Sequence, residues 1–204
     1  MMQGKGFTLV ELAIVITIIG LLIAGVLKGQ SLINDAKVSS AITLAQDISV
    51  AVNAFKQQYH MLPGDMAVTT ADIPNISTGC QLSGGSTNNG LIDNTTESQC
   101  VPEVLFKAGL TKQPTFSTDY GPVVVKASKT VLYLAPSIAA GVFPATHVVE
   151  FQNLPCEVVQ AMDRKIDDDN LTSGKAIAAY FTPDTNNPNT CLAGSPVPSY
   201  AVAL

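Results

Sequence analysis

One glutamate stands at the edge of an otherwise apolar run. Gly6-Phe7-Thr8-Leu9-Val10-Glu11-Leu12 leads into Leu12–Leu27, where no residue is charged and only Thr17, Gly20 and Gly25 interrupt Leu, Ile, Val and Ala. An acidic side chain within a membrane helix costs about 2.5 to 3.5 kcal/mol on insertion scales, so such a group usually has a partner and a task. The second reactive set is Cys80, Cys100, Cys156 and Cys191, all beyond the apolar run. An even set of cysteines beyond an export-type segment points to disulfides made in an oxidising compartment, against the alternative of reduced, buried thiols. Four cysteines allow three pairings; joining Cys80 to Cys100 and Cys156 to Cys191 closes local loops. The densest charge cluster is Asp163-Arg164-Lys165-Ile166-Asp167-Asp168-Asp169-Asn170. His60 and His147 stand at no metal-ligand spacing with a cysteine or an acid. No nucleophile elbow and no glycine-rich phosphate loop occurs, so the chain is not expected to be an enzyme.

The elements that must position these residues begin with the N-terminus. A cleaved secretory signal needs a basic start, an apolar stretch and a small-residue cleavage site after it. Lys5 supplies the first, but Leu27 is followed by Lys-Gly-Gln-Ser rather than by an A-x-A-like site. A plain anchor suits the length, since Phe7 to Leu27 supplies about the twenty residues needed to cross a bilayer. It leaves Glu11 without a purpose beyond that of an acid near the positive end of a helix.

The string from Gly6 to Leu12, joined to its apolar run, resembles the N-terminus of type IV pilins and type II secretion pseudopilins. The resemblance implies that a membrane prepilin peptidase cuts between Gly6 and Phe7 and methylates the new amine on Phe7, with Lys5 lost in the leader. It further implies that Glu11 of one subunit neutralises the N-terminal amine of the next. Opposite charges about 4 Å apart attract far more in apolar surroundings than in water, so the pair would set the axial register of each added subunit. The stretch FKQQYHMLPGDM resembles the segment that closes the long helix in many pseudopilin-like proteins. Asp163 to Gly174 resembles a D-x-K-x-D-D-G-x-x-x-x-G stretch of some pilin-like proteins, with Asp169 in place of the first glycine. Because major secretion pseudopilins use a calcium loop near the C-terminus, Asp167, Asp168 and Asp169 become candidate Ca²⁺ ligands. Their spacing matches no EF-hand, and a solvated turn with Arg164 and Lys165 as counter-charges is the competing reading.

With no proline before Pro63, one helix can run from about Phe7 to Tyr59, roughly 80 Å at 1.5 Å per residue. Leu44, Ile48, Val52, Phe55, Tyr59 and Leu62 recur at helical spacing while Asp47, Asn53, Lys56 and Gln57 occupy other faces, the pattern of a helix laid on a core. Gly20, Gly25 and Gly29 weaken the helix locally or let neighbouring helices approach closely. Pro63-Gly64-Asp65 predicts a turn, and Ala71 to Cys100 a polar loop. Val101 to Leu110 restarts as a helix with Pro102 in its first turn and Gly109 at its end. Beyond Thr115 the period becomes two: VVVKA from Val123 and VLYLA from Val131 read as a hairpin, and HVVEFQNL from His147 and KAIAAYF from Lys175 as further strands. Pro155 to Ile166 reads as a short helix.

The expected fold is α+β and pilin-like: a long N-terminal helix whose apolar half protrudes and whose amphipathic half packs on a small antiparallel sheet. The expected divisions are a leader over 1–6, the helix over 7–62 with a membrane or filament-core part over 7–27, and a head over 63–204. Scattered Lys and Arg and a net charge of −5 give nucleic acid no electrostatic footprint. The resemblance implies a subunit of a type IV pilus or related filament, with a secretion pseudopilin or a tip-located binding module, displaying the loop from Ile76 to Cys100, as alternatives. A single-pass anchored periplasmic protein that never polymerises is a third reading. The implied partners are other pilin subunits, the prepilin peptidase, and an inner-membrane platform with a cytoplasmic ATPase. The implied location is the bacterial inner membrane before assembly, with the head periplasmic, and a cell-envelope or extracellular filament afterwards.

Overall fold

The computed structural model describes residues 8–81, 88–132 and 146–204. The chain forms two compact units, Met1–Lys37 and Val38–Leu204, and helix α1 (Leu9–Tyr59) belongs to both. No proline interrupts its 51 residues, so its backbone ladder is unbroken. Within the second unit, Val38, Ala41, Ala45, Ile48, Val52 and Phe55 are buried at spacings of three and four, a single stripe along one face. Burial of each large member of that stripe contributes about 1.5 to 3 kcal/mol. The helix stops where His60 takes a left-handed φ of +57°, its N–H still bonded to the Lys56 carbonyl at 2.9 Å, just before Pro63 forbids continuation.

The turn after it requires glycine. Gly64 has φ +90°, and a Cβ there would lie 2.5 Å from the carbonyl oxygen of Glu97, so the chain passes directly against helix α2 (Thr95–Lys107). Asp65 then ties the turn to the loop before α2, accepting from the amides of Asn89 at 3.1 Å and Gly90 at 2.7 Å. Helix α2 starts earlier than the expected Val101, because Asn94 and Glu97 form a reciprocal capping box that satisfies the first free amides. Pro102 consequently lies inside the helix rather than in its first turn, where it omits one backbone hydrogen bond. Gly109, at φ +75°, ends α2 with Leu110 N–H reaching back to the Leu105 carbonyl, a left-handed cap that glycine takes without strain.

Five strands form one antiparallel sheet in the order β1-β2-β3-β5-β4: β1 (Ser117–Thr118), β2 (Gly121–Ala127), β3 (His147–Pro155), β4 (Ala176–Tyr180) and β5 (Pro196–Ala203). Val123, Val125, Val149, Phe151, Ala176, Ala178 and Tyr200 share one core with the α1 stripe. This is the α+β, pilin-like architecture. Two strand assignments need correction. The hairpin expected between Val123 and Val131 is replaced by a short helix α3 (Ser128–Leu132); the rest of that second run, 133–135, lies outside the described residues. Strand β2 pairs instead with β3, Val125 facing Val149. Strand β5 was not anticipated, because Pro196 and Pro198 argue against an interior strand. The ladder accommodates Pro198 where β3 itself departs from extended geometry: Gln152 faces Ser199 and Leu154 faces Val197, while Asn153 between them has φ +57°. Helix α4 (Cys156–Ile166) follows β3 directly.

Candidate functional site

At the N-terminus Gly6 and Phe7, the expected cleavage pair, lie outside the described residues. The first turn of α1 begins beside them. Glu11 Oε2 accepts both the backbone N–H and the hydroxyl of Thr8, each at 2.8 Å, and Thr8 Oγ accepts the Glu11 N–H at 3.3 Å. This reciprocal box satisfies two donors that an uncapped helix would leave bare. Oxygen Oε1 of Glu11 has no donor among the described residues. Thr8 was not singled out from the sequence, although Thr followed three residues later by Glu before an apolar run is the capping signal. Beyond this turn every large apolar side chain from Leu9 to Ile33 is exposed, Leu9 at 86% and Leu21 at 77%. By length and composition the helix is able to cross a membrane, and the positions of Gly20, Gly25 and Gly29 are open around the backbone.

Residues 1–27 match the model of the prokaryotic N-terminal methylation motif. It is the type IV pilin and pseudopilin signature, and it supports a pilin-like or pseudopilin precursor. The motif implies processing by prepilin peptidase and assembly with other pilin subunits. With the apolar helix, it fits a membrane-anchored precursor and indicates a structural, pilin-like protein. No curated protein and no solved structure matches the chain.

All four cysteines are paired. Cys80 is bonded to Cys100 with Cα atoms 5.4 Å apart, joining a short 3₁₀ turn (Thr78–Cys80) to α2, and Cys156 to Cys191 at 5.7 Å, joining the start of α4 to the segment before β5. In the chain-entropy account, cross-links over loops of these lengths stabilise by about 3 to 4 kcal/mol each, by restricting the unfolded chain.

The acidic loop after α4 distributes its carboxylates among separate partners. Asp167 Oδ2 accepts from the amides of Lys175 and Ala176, Asp168 from Asn170 N–H and the Ser173 hydroxyl, both at 3.1 Å, and Asp169 from Arg164 Nε at 3.1 Å. Lys165 reaches Ser39 of α1 at 3.2 Å rather than an acid of the loop. Among the described residues no three His, Cys, Asp or Glu side chains are grouped so as to hold a metal ion. The more unusual acid is Asp163, fully buried, with Oδ1 accepting from the Tyr200 hydroxyl at 3.0 Å and Oδ2 without a hydrogen-bond partner among the described residues. Burial pushes its carboxyl up to about 6, the Tyr200 hydroxyl and the Asn170 backbone amide oppose the rise, and Asp168 and Asp167 add to it. The Tyr200 hydroxyl is held above its usual range by burial and by Asp163. The clue to Asp163 in the sequence is its place one helical turn after Val159, in phase with the apolar side of α4.

The two histidines are brought together. His60 at the exit of α1 and His147 at the start of β3 line the same groove, a convergence that no spacing in the sequence announces.

Proposed function

We propose that the chain is a structural subunit of a type IV pilus or pilus-like filament, cut between Gly6 and Phe7, methylated on the Phe7 amine and polymerised through α1. The observation that carries this reading is the methylation motif running without a break into a helix whose large apolar side chains have no cover. At about 1.5 to 3 kcal/mol for each large side chain removed from water, such a rod is stable in lipid or against other apolar helices. The first holds the precursor in the inner membrane with its head in the periplasm; the second is the filament.

The geometry of Glu11 suits the exchange between them. Thr8 satisfies Oε2 within the subunit, which lowers the cost of carrying a carboxylate in lipid. Oε1 is left for the cationic amine that cleavage creates on an adjacent subunit, and a charge-assisted bond in apolar surroundings is among the stronger ones. A membrane platform and a cytoplasmic ATPase supply the work of extraction from lipid.

Intact-mass measurement on cells with and without prepilin peptidase tests the processing step, with a chain beginning at N-methylated Phe7 expected in the first and at Met1 in the second. A chain that begins at Met1 in both rejects the reading. In the same cells Glu11→Ala is expected to be processed normally while its incorporation into filaments falls at least about tenfold, the loss of one charge-assisted bond. Unchanged filament yield would remove the register role from Glu11.

A further inference from the structure

The chain has two histidines, and folding places both on an open groove of about 420 Å³ together with Lys56, Asp65, Asn88 and Thr146. The groove lies wholly within the second unit. His60 is set there by a left-handed backbone, φ +57°, which non-glycine residues seldom adopt. His147 uses Nε2 to accept the Ile92 N–H at 3.4 Å, so a neutral ring carries its proton on Nδ1 and presents it as a donor. Burial and the Lys56 charge hold the His147 imidazole below the usual histidine range, with Asp65 opposing.

Asp65, the acid of the groove, already accepts from two backbone amides through its two oxygens. Among the described residues the Lys56 ammonium has no ion-pair partner and the His60 side chain no hydrogen-bond partner. The groove therefore offers one permanent cation, two imidazoles, a hydroxyl and an amide, with its carboxylate otherwise engaged. A metal cation is the wrong guest, since among the described residues no three His, Cys, Asp or Glu side chains are grouped so as to hold one and Lys56 repels it. An oxyanion, which accepts several donors at once, is the right one.

We propose that this groove binds a phosphate-type oxyanion through Lys56, His60 and Nδ1 of His147, with Asn88 and Thr146 as neutral donors. The site goes beyond the filament reading and stands or falls without it.

The test uses the full chain in detergent micelles with isotope-labelled histidine rings. Two ring systems are seen, and the exposed His60→Gln variant assigns them. Inorganic phosphate added at constant ionic strength is expected to shift both rings saturably and to raise the pH midpoint of His147. Lys56→Gln, at an exposed position, is expected to weaken half-saturation about tenfold, the loss of one charge-assisted contact. A parallel arm compares the chain in phosphatidylcholine and in phosphatidylglycerol vesicles: ring shifts with the second lipid but not with free phosphate assign a lipid phosphate, and the reverse a soluble one. Shifts that sodium chloride reproduces, that never saturate, or that persist unchanged in Lys56→Gln overturn the site, as does silence in both arms.

Discussion

The two halves of α1 share one backbone and differ in what surrounds it. From Leu9 to Ile33 the large apolar side chains are exposed, and from Val38 to Phe55 a stripe at three- and four-residue spacing is buried in the core of the second unit. Helical geometry is common to both, so neither propensity nor ladder explains the contrast. The pattern does. From Leu12 to Leu27 the first half carries no charge and is apolar on every side, which suits an environment without water all round. The second alternates Val38, Ile48, Val52 and Phe55 with Asp47, Asn53 and Gln57, which suits a boundary between a core and water. In the proposed function a single helix thus carries two separable tasks, stability of the head and affinity for lipid or for other subunits.

Substitutions of the same chemical kind in the two halves break or sharpen that separation. Phe55→Ala deletes a fully buried ring that also stacks on Tyr59 with centroids 4.4 Å apart, and is expected to lower head stability in denaturant by about 3 to 5 kcal/mol. Asp163, in the same unit, should give an intermediate effect that depends on pH. Its folded carboxyl titrates at about 6 against an ordinary 3.8, so the folded state holds a proton that the unfolded state has released. Stability from this group is complete below the unfolded value, falls as pH rises through about 6, and is level beyond. Thermal melts from pH 3 to 8 should show that falling limb, and Asp163→Asn should flatten it. Leu21→Ala gives the smallest effect on the head, within about 0.5 kcal/mol, while reducing recovery in the membrane fraction. A loss in head stability comparable to that of Phe55→Ala would show that the two halves are not separable.

Features set by neighbours along the chain were legible before folding. The prolines, the apolar run and the three-four spacing of the second half placed α1; Pro155 and the apolar side of the following residues placed α4. Local signals also account for part of what was missed, since Asn94 with Glu97 is a capping box that moves the start of α2 forward, and Thr8 with Glu11 is another. Strand β5 was hidden for a different reason. Pro196 and Pro198 argue against a strand taken alone, and only pairing with β3, where Asn153 leaves the extended conformation, shows how the ladder absorbs them. The second run of the expected hairpin failed similarly: β-forming residues at Val131 and Leu132 are helical, because β2 finds its partner in β3.

For this protein the order of residues was sufficient to determine the processing motif, the long helix and its two characters, because each depends on composition and spacing within a few turns. Only the tertiary structure decided that Asp163 is buried against Tyr200, that the acids of the following loop turn to separate donors, and that His60 and His147 share a groove. Each of those outcomes depends on elements distant in sequence approaching one another, and burial and charge are properties of that approach rather than of any residue alone.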